Sequence, residues 1–61
     1  MRAVALKSWR IEYNGFYKIS NMSTNEEVGT FTNLADCKEW FMRNTNDKFA
    51  EVICAMAENL K

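Results

Sequence analysis

The chain predicts an α+β domain, a three- or four-stranded antiparallel sheet followed by two antiparallel helices packed on one of its faces. Three observations carry that prediction. From Trp9 to Ile19 the apolar residues fall on every second position, the period of a half-buried strand. From Leu34 to Leu60 they recur at three and four, the period of an amphipathic helix, and the change of rhythm comes near Asn33. Clusters of turn formers, Asn14-Gly15, Ser23-Thr24-Asn25 and Asn44-Thr45-Asn46-Asp47, separate the periodic segments.

The segment Ala3 to Lys7 comes first; it either extends the first strand or pairs as a separate edge strand, and the pattern leaves both open. The hairpin around Asn14-Gly15 is decided by its faces. A two-residue type I′ turn would put Tyr13 opposite Phe16 and Ile11 opposite Lys18, mixing apolar with polar. A three-residue loop, Tyr13-Asn14-Gly15 with Gly15 left-handed, instead sets Ile11 opposite Tyr17 and Trp9 opposite Ile19. That register keeps one face apolar, and a slip of one residue would turn every side chain over. The other face then carries Ser8, Arg10, Glu12, Phe16, Lys18 and Ser20. A further strand is expected over Glu27 to Thr32, after a turn around Thr24-Asn25. Val28 and Phe31 have opposite parity there, so Gly29 marks a candidate bulge.

Asn33, or Thr32 before it, is a suitable cap for the first helix, and Asp36 suits the positive end of that helix. Leu34, Cys37 and Phe41 line one face of it, with Trp40 beside them. The second helix is expected to start after Asn46 or Asp47, with Phe49, Val52, Ile53, Met56 and Leu60 as the stripe laid on the sheet. Cys37 and Cys54 stand symmetrically about the interhelical turn, so a disulfide between antiparallel helices is conceivable. Cys54 falls roughly 100° from Ile53 around the helix, off that stripe, and two free thiols in a reducing compartment are expected.

Composition excludes several classes of function. The 61 residues suit one domain, 1–61, with a core that covers only about 60% of the surface an unfolded chain exposes. Hydrophobic residues make up 48%, too many for a disordered tail, yet there is no apolar run of about 18 for a membrane span. The apolar run at Ala3-Val4-Ala5-Leu6 is too short for a signal core, so a soluble cytoplasmic protein is expected. Eight basic and eight acidic side chains give zero formal charge, which argues against a strong grip on a phosphate backbone and equally against an acidic DNA mimic. No histidine is present, so the commonest general base and neutral metal ligand are missing. The two cysteines have neither zinc-knuckle nor redox spacing. Glu26-Glu27 and the pair Glu51 and Glu58 read as solvated surface. We expect no enzyme, no metal and no cofactor.

Binding is the function left to argue. Phe16 and Met22 have no evident core role, and Trp40 and Met42 flank the buried stripe of the first helix; such side chains are favoured at the desolvated centre of interfaces. The residues singled out for partner binding are Arg10, Phe16, Lys18 and Trp40. The sheet edge around Ala3 to Lys7 is a second docking line, able to take a strand from a partner or from a second copy. For so small a core, homodimerisation would be a natural supplement.

Two resemblances can be placed on these residues. Trp9-Arg10-Ile11, then Gly29-Thr30-Phe31-Thr32-Asn33 leading into Ala35, Glu39 and Trp40, resembles the strand, turn and helix start of the DNA-binding sheets in AP2 domains and at the N-termini of tyrosine recombinases. That resemblance implies a sequence-specific DNA-binding module. Such domains read the major groove with several Arg or Lys on the outer sheet face, where this chain offers Arg10 and Lys18 with Glu12 close to both. The order Tyr13-Asn14-Gly15, Val28-Gly29, Trp40-Phe41 in a first helix, then Ala55-Met56 and Glu58-Asn59 in a second, is similar to small phage anti-CRISPR proteins that inhibit the type I-F surveillance complex. It runs from Tyr13 to the C-terminus and accounts for the second helix. It implies an inhibitor that binds a host protein complex, a CRISPR–Cas effector, and blocks its access to target DNA. Neutral charge and exposed apolar candidates favour protein over nucleic acid as the partner.

Overall fold

The computed structural model describes residues 2–60 and is α+β: β1 (Arg2–Leu6), β2 (Trp9–Tyr13), β3 (Tyr17–Asn21), β4 (Glu26–Phe31), α1 (Leu34–Asn44) and α2 (Lys48–Ala57). The strands form one antiparallel sheet in the order β1-β2-β3-β4. The alternative left open for the N-terminal segment resolves as a separate edge strand, β1, paired with β2 from Arg2↔Tyr13 to Leu6↔Trp9. The chain reverses at Lys7-Ser8, where Lys7 takes a left-handed φ of 56°.

The β2–β3 hairpin corrects the expected register. Its three-residue loop is Asn14-Gly15-Phe16 rather than Tyr13-Asn14-Gly15, with Tyr13 opposite Tyr17 and Ile11 opposite Ile19. Trp9 therefore faces Asn21, not Ile19. The expected pairing was off by two positions along the partner strand, a shift that leaves every side chain on its own face, so alternation alone cannot detect it. Tyr13 belongs to the strand, its ring 4.8 Å from that of Tyr17. Gly15 is left-handed as expected, with φ 82°.

β4 begins and ends one residue earlier than the expected Glu27 to Thr32. Its irregularity lies where Gly29 suggested. Ile19 pairs with Gly29 while Ser20 pairs with Glu27, which leaves Val28 as the extra residue of a bulge. The bulge reconciles the parity conflict, since Val28 and Phe31 both pack against the core. A Cβ at Gly29 would lie 3.0 Å from Cζ of Phe31, so a side chain there would press aside the ring that folds back over the strand.

Both helices cover the face that carries Trp9, Ile11, Tyr17 and Ile19, α2 over β1 and β2 and α1 over β3 and β4. They run antiparallel: Lys38 near the start of α1 donates to Glu58 at the end of α2 (3.0 Å). The side chain of Asn33 accepts from the backbone N–H of Asp36 and caps α1; that of Asp47 accepts from Phe49 and caps α2. The second Asp47 oxygen accepts from the Trp9 indole N–H at 3.2 Å, fastening the interhelical turn to the sheet. Trp9 also meets the Phe41 and Trp40 rings edge-on, at 5.1 and 5.9 Å.

The face that α2 buries keeps Ile53 and Leu60 of the expected stripe and differs in the rest. Ala50, Ile53, Cys54 and Ala57 are buried, together with Leu60 beyond the helix, whereas Phe49 and Val52 are exposed and Met56 is half-buried. Positions 50, 53, 54 and 57 follow a helical stripe as well as the expected set does. The stripe of small side chains wins because it lets the helix axis come close to the sheet, where three larger residues would hold it off. Cys54 thus lies on the buried face, not off it.

Candidate protein-binding surfaces

The outer face of the sheet is built by strand alternation. Arg10 and Glu12 from β2, Lys18 and Ser20 from β3 and Thr30 from β4 point away from the helices, with Arg10 opposite Ser20 and Lys18 between Glu12 and Thr30. Three carboxylate–cation contacts run across it: Arg10 to Glu12 at 3.0 Å, Lys18 to Glu27 at 3.3 Å and Lys18 to Glu12 at 3.9 Å. Glu12 is the anchor, its side chain only 13% exposed. Exposed pairs of this kind add little stability; their consequence is that both cations already have carboxylate partners. At the hairpin end Phe16 stands 55% exposed beside a shallow hollow shared with Glu12, Asn14, Lys18 and Thr30.

Arg10, Phe16 and Lys18 thus share one surface. Trp40 does not join them. It lies in the helix layer on the opposite side of the sheet, half-buried, with its ring edge-on to Trp9 and Phe41.

The helix layer presents a second surface that the sequence reading only partly found. Met42 is 79% exposed, Phe49 42% and Val52 48%. An open groove of about 780 Å³ runs between the helices, bordered by Met42, Thr45, Val52 and Ala55, with Lys38 and Glu51 among its polar lining. Met42 stood out in the sequence; Phe49 and Val52 did not, because the stripe pattern assigned them to the core. The neighbouring alanines at 50 and 57 were the available signal, since a helix seated closely on a sheet needs small residues at the contact.

The two cysteines are free and fully buried. Burial pushes the Cys37 thiol from an ordinary 9.0 up to about 12, with the nearby Cys54 and Asp36 adding to the shift. Burial raises Cys54 as well, opposed in part by Lys38. Thiols held protonated in an apolar layer are poor nucleophiles. Among the described residues no three His, Cys, Asp or Glu side chains gather as a metal site, and no helix is long and apolar enough to cross a membrane.

No protein-family model matches the chain, and neither curated proteins nor solved structures show a significant similarity to it.

Proposed function

We propose that this chain is a small protein-binding inhibitor that acts by steric occlusion of a host protein complex, with a CRISPR–Cas effector as the target that its resemblance to type I-F anti-CRISPR proteins implies. The observation that carries the reading is the charge arrangement of the outer sheet face. A DNA-reading sheet must offer several cations to phosphates and base edges. Here Arg10 is held by Glu12, and Lys18 lies between Glu12 and Glu27. Binding phosphate would break those contacts and bring two carboxylates against the DNA backbone. A protein surface asks for something else, a few apolar anchors inside a polar rim, and Phe16 within its ring of Glu12, Asn14, Lys18 and Thr30 supplies that pattern. Cytoplasmic action on such a complex is part of the same proposal.

The test is capture by the tagged protein from a bacterial lysate containing type I-F CRISPR–Cas complexes, with and without nuclease, read by mass spectrometry. Recovery of the effector subunits despite nuclease supports the inhibitor reading. Recovery of nucleic acid alone, lost on nuclease treatment and falling steeply with added salt, would replace it with the DNA-binding sheet.

A further inference from the structure

The two edges of the sheet are not equivalent. β4 is broken by the bulge at Val28 and carries the exposed pair Glu26-Glu27; bulges and charges are the usual devices that keep a sheet edge from pairing with another chain. β1 has neither. Its five residues pair with β2 in unbroken register, and Ala3 and Ala5 between its charged ends are small and exposed. Alternate residues of such a strand direct their N–H and C=O groups away from the sheet.

Above this edge lies the flank of α2 that the packing leaves uncovered. At 100° per residue Phe49 and Met56 lie within roughly 20° of one another around the helix. The Lys7 Nζ stands 5.0 Å from the centre of the Phe49 ring, which fixes that flank on the β1 side. The edge is also cationic. Arg2 and Lys7 bracket β1, and among the described residues neither takes part in an ion pair, whereas Arg10, Lys18, Lys38 and Arg43 all do.

We infer that β1 is a strand-accepting edge that binds an extended segment of a partner protein, one with acidic residues at its ends and apolar residues at alternate positions. This rests on the protein-binding reading and names the chemistry of the contact. The main chain of the segment completes the hydrogen bonds of β1, its alternate apolar side chains lie against Phe49 and Met56, and its carboxylates meet Arg2 and Lys7. Charge selects this occupant over a second copy of the chain. Two β1 strands paired antiparallel about Val4 would set Arg2 opposite Leu6 of the other copy and next to its Lys7, cation against cation.

The experiment titrates the isotopically labelled full chain with an end-capped heptapeptide of alternating valine and threonine flanked by glutamates, followed by amide NMR. A lysine-flanked version serves as control. The expected result is shifts confined to β1 and to Phe49 and its neighbours, at least tenfold weaker binding of the lysine-flanked peptide, and a similar loss for the double variant Arg2→Glu/Lys7→Glu, whose two sites are exposed and leave the fold intact. No shift at millimolar peptide, shifts centred on the outer face at Phe16 and Lys18, or equal binding of both peptides would overturn the inference. A concentration-dependent dimer whose amide protection gain falls on β1 would overturn it in favour of a second copy. Effector capture undiminished in the double variant would sink the edge while leaving the inhibitor reading in place; capture absent in both forms would sink that reading, and the peptide titration would still decide the edge.

Discussion

The two helices of this domain solve the same packing problem in opposite ways. α1 buries its ring, Phe41, together with Cys37. α2 buries Ala50, Ile53, Cys54 and Ala57 and leaves its own ring, Phe49, in solvent with Val52. The difference teaches that apolar periodicity locates a helix but does not by itself say which apolar residues are spent on the fold. Phe41 of α1 and Ile53 of α2 hold the molecule together, while Met42, Phe49 and Val52 stay in solvent.

The sharpest way to break that comparison is to truncate one ring from each helix. Phe41→Ala should lose about 3–5 kcal/mol in urea unfolding, whereas Phe49→Ala should lose about 1 kcal/mol or less, its burial being partial and its contact with Lys7 a surface cation–π pair. Equal losses would mean that α2 is anchored by its outer flank after all.

Alkaline titration probes the layer where the helices meet. The Cys37 thiol ionises near 9 when unfolded and near about 12 when folded, so the native state holds its proton longer. Its contribution to stability is complete below pH 9 and is lost as pH rises toward 12. Urea midpoints should fall over that window, less steeply in Cys37→Ala, and a disulfide reagent at pH 8 should modify both thiols only as fast as the chain opens. Rapid modification of the folded protein would show that the α1–α2 layer is not closed.

Enlarging a small contact residue tests the close seat of α2. Ala50→Leu should cost about 1–3 kcal/mol by overpacking; a neutral result would mean that the helix has slack. A smaller effect is expected at the clasp between sheet and interhelical turn. Trp9→Phe and Asp47→Ala each remove the indole hydrogen bond, for about 1 kcal/mol, and the second also removes the cap of α2, for about 1 kcal/mol more. A double-mutant cycle should return a coupling close to the loss of the single bond. Smallest of all, Arg10→Ala, Phe16→Ser and Lys18→Ala should change stability by no more than about 0.5 kcal/mol while lowering effector capture. Trp40→Ala should lower both. If all four leave capture intact, the binding surface lies elsewhere.

Much of this architecture is legible in residue types. Asn33 and Asp47 announce the helix starts because a short side-chain acceptor at that point satisfies an otherwise unpaired N–H. Gly15 marks a left-handed turn position, and Gly29 lies at a bulge beneath the Phe31 ring. What alternation could not convey is the hairpin register, since a two-residue slip conserves every face. The buried side of α2 was hidden for a different reason, because a reading that weights side chains by size overlooks alanine, whose value is that it takes up little room. The candidate site shows the same division. The common surface of Arg10 and Lys18 follows from strand parity, with Phe16 joining it from the hairpin loop, while Trp40 sits at the margin of a helical stripe, where sequence alone does not separate a core edge from an exposed anchor.

The sheet is a meander in which every strand pairs with its sequence neighbour, so its contacts form early and without long loop closures, a topology associated with rapid folding. The hydrogen bond from Trp9 to Asp47 is the contrary case, joining residues 38 positions apart. The chain between them runs through the β2–β3 and β3–β4 hairpins, α1 and the interhelical turn. Trp9 and Trp40 lie 5.9 Å apart and share the emission of the chain, so stopped-flow fluorescence of a Trp40→Phe variant would isolate the Trp9 indole as it docks on the interhelical turn.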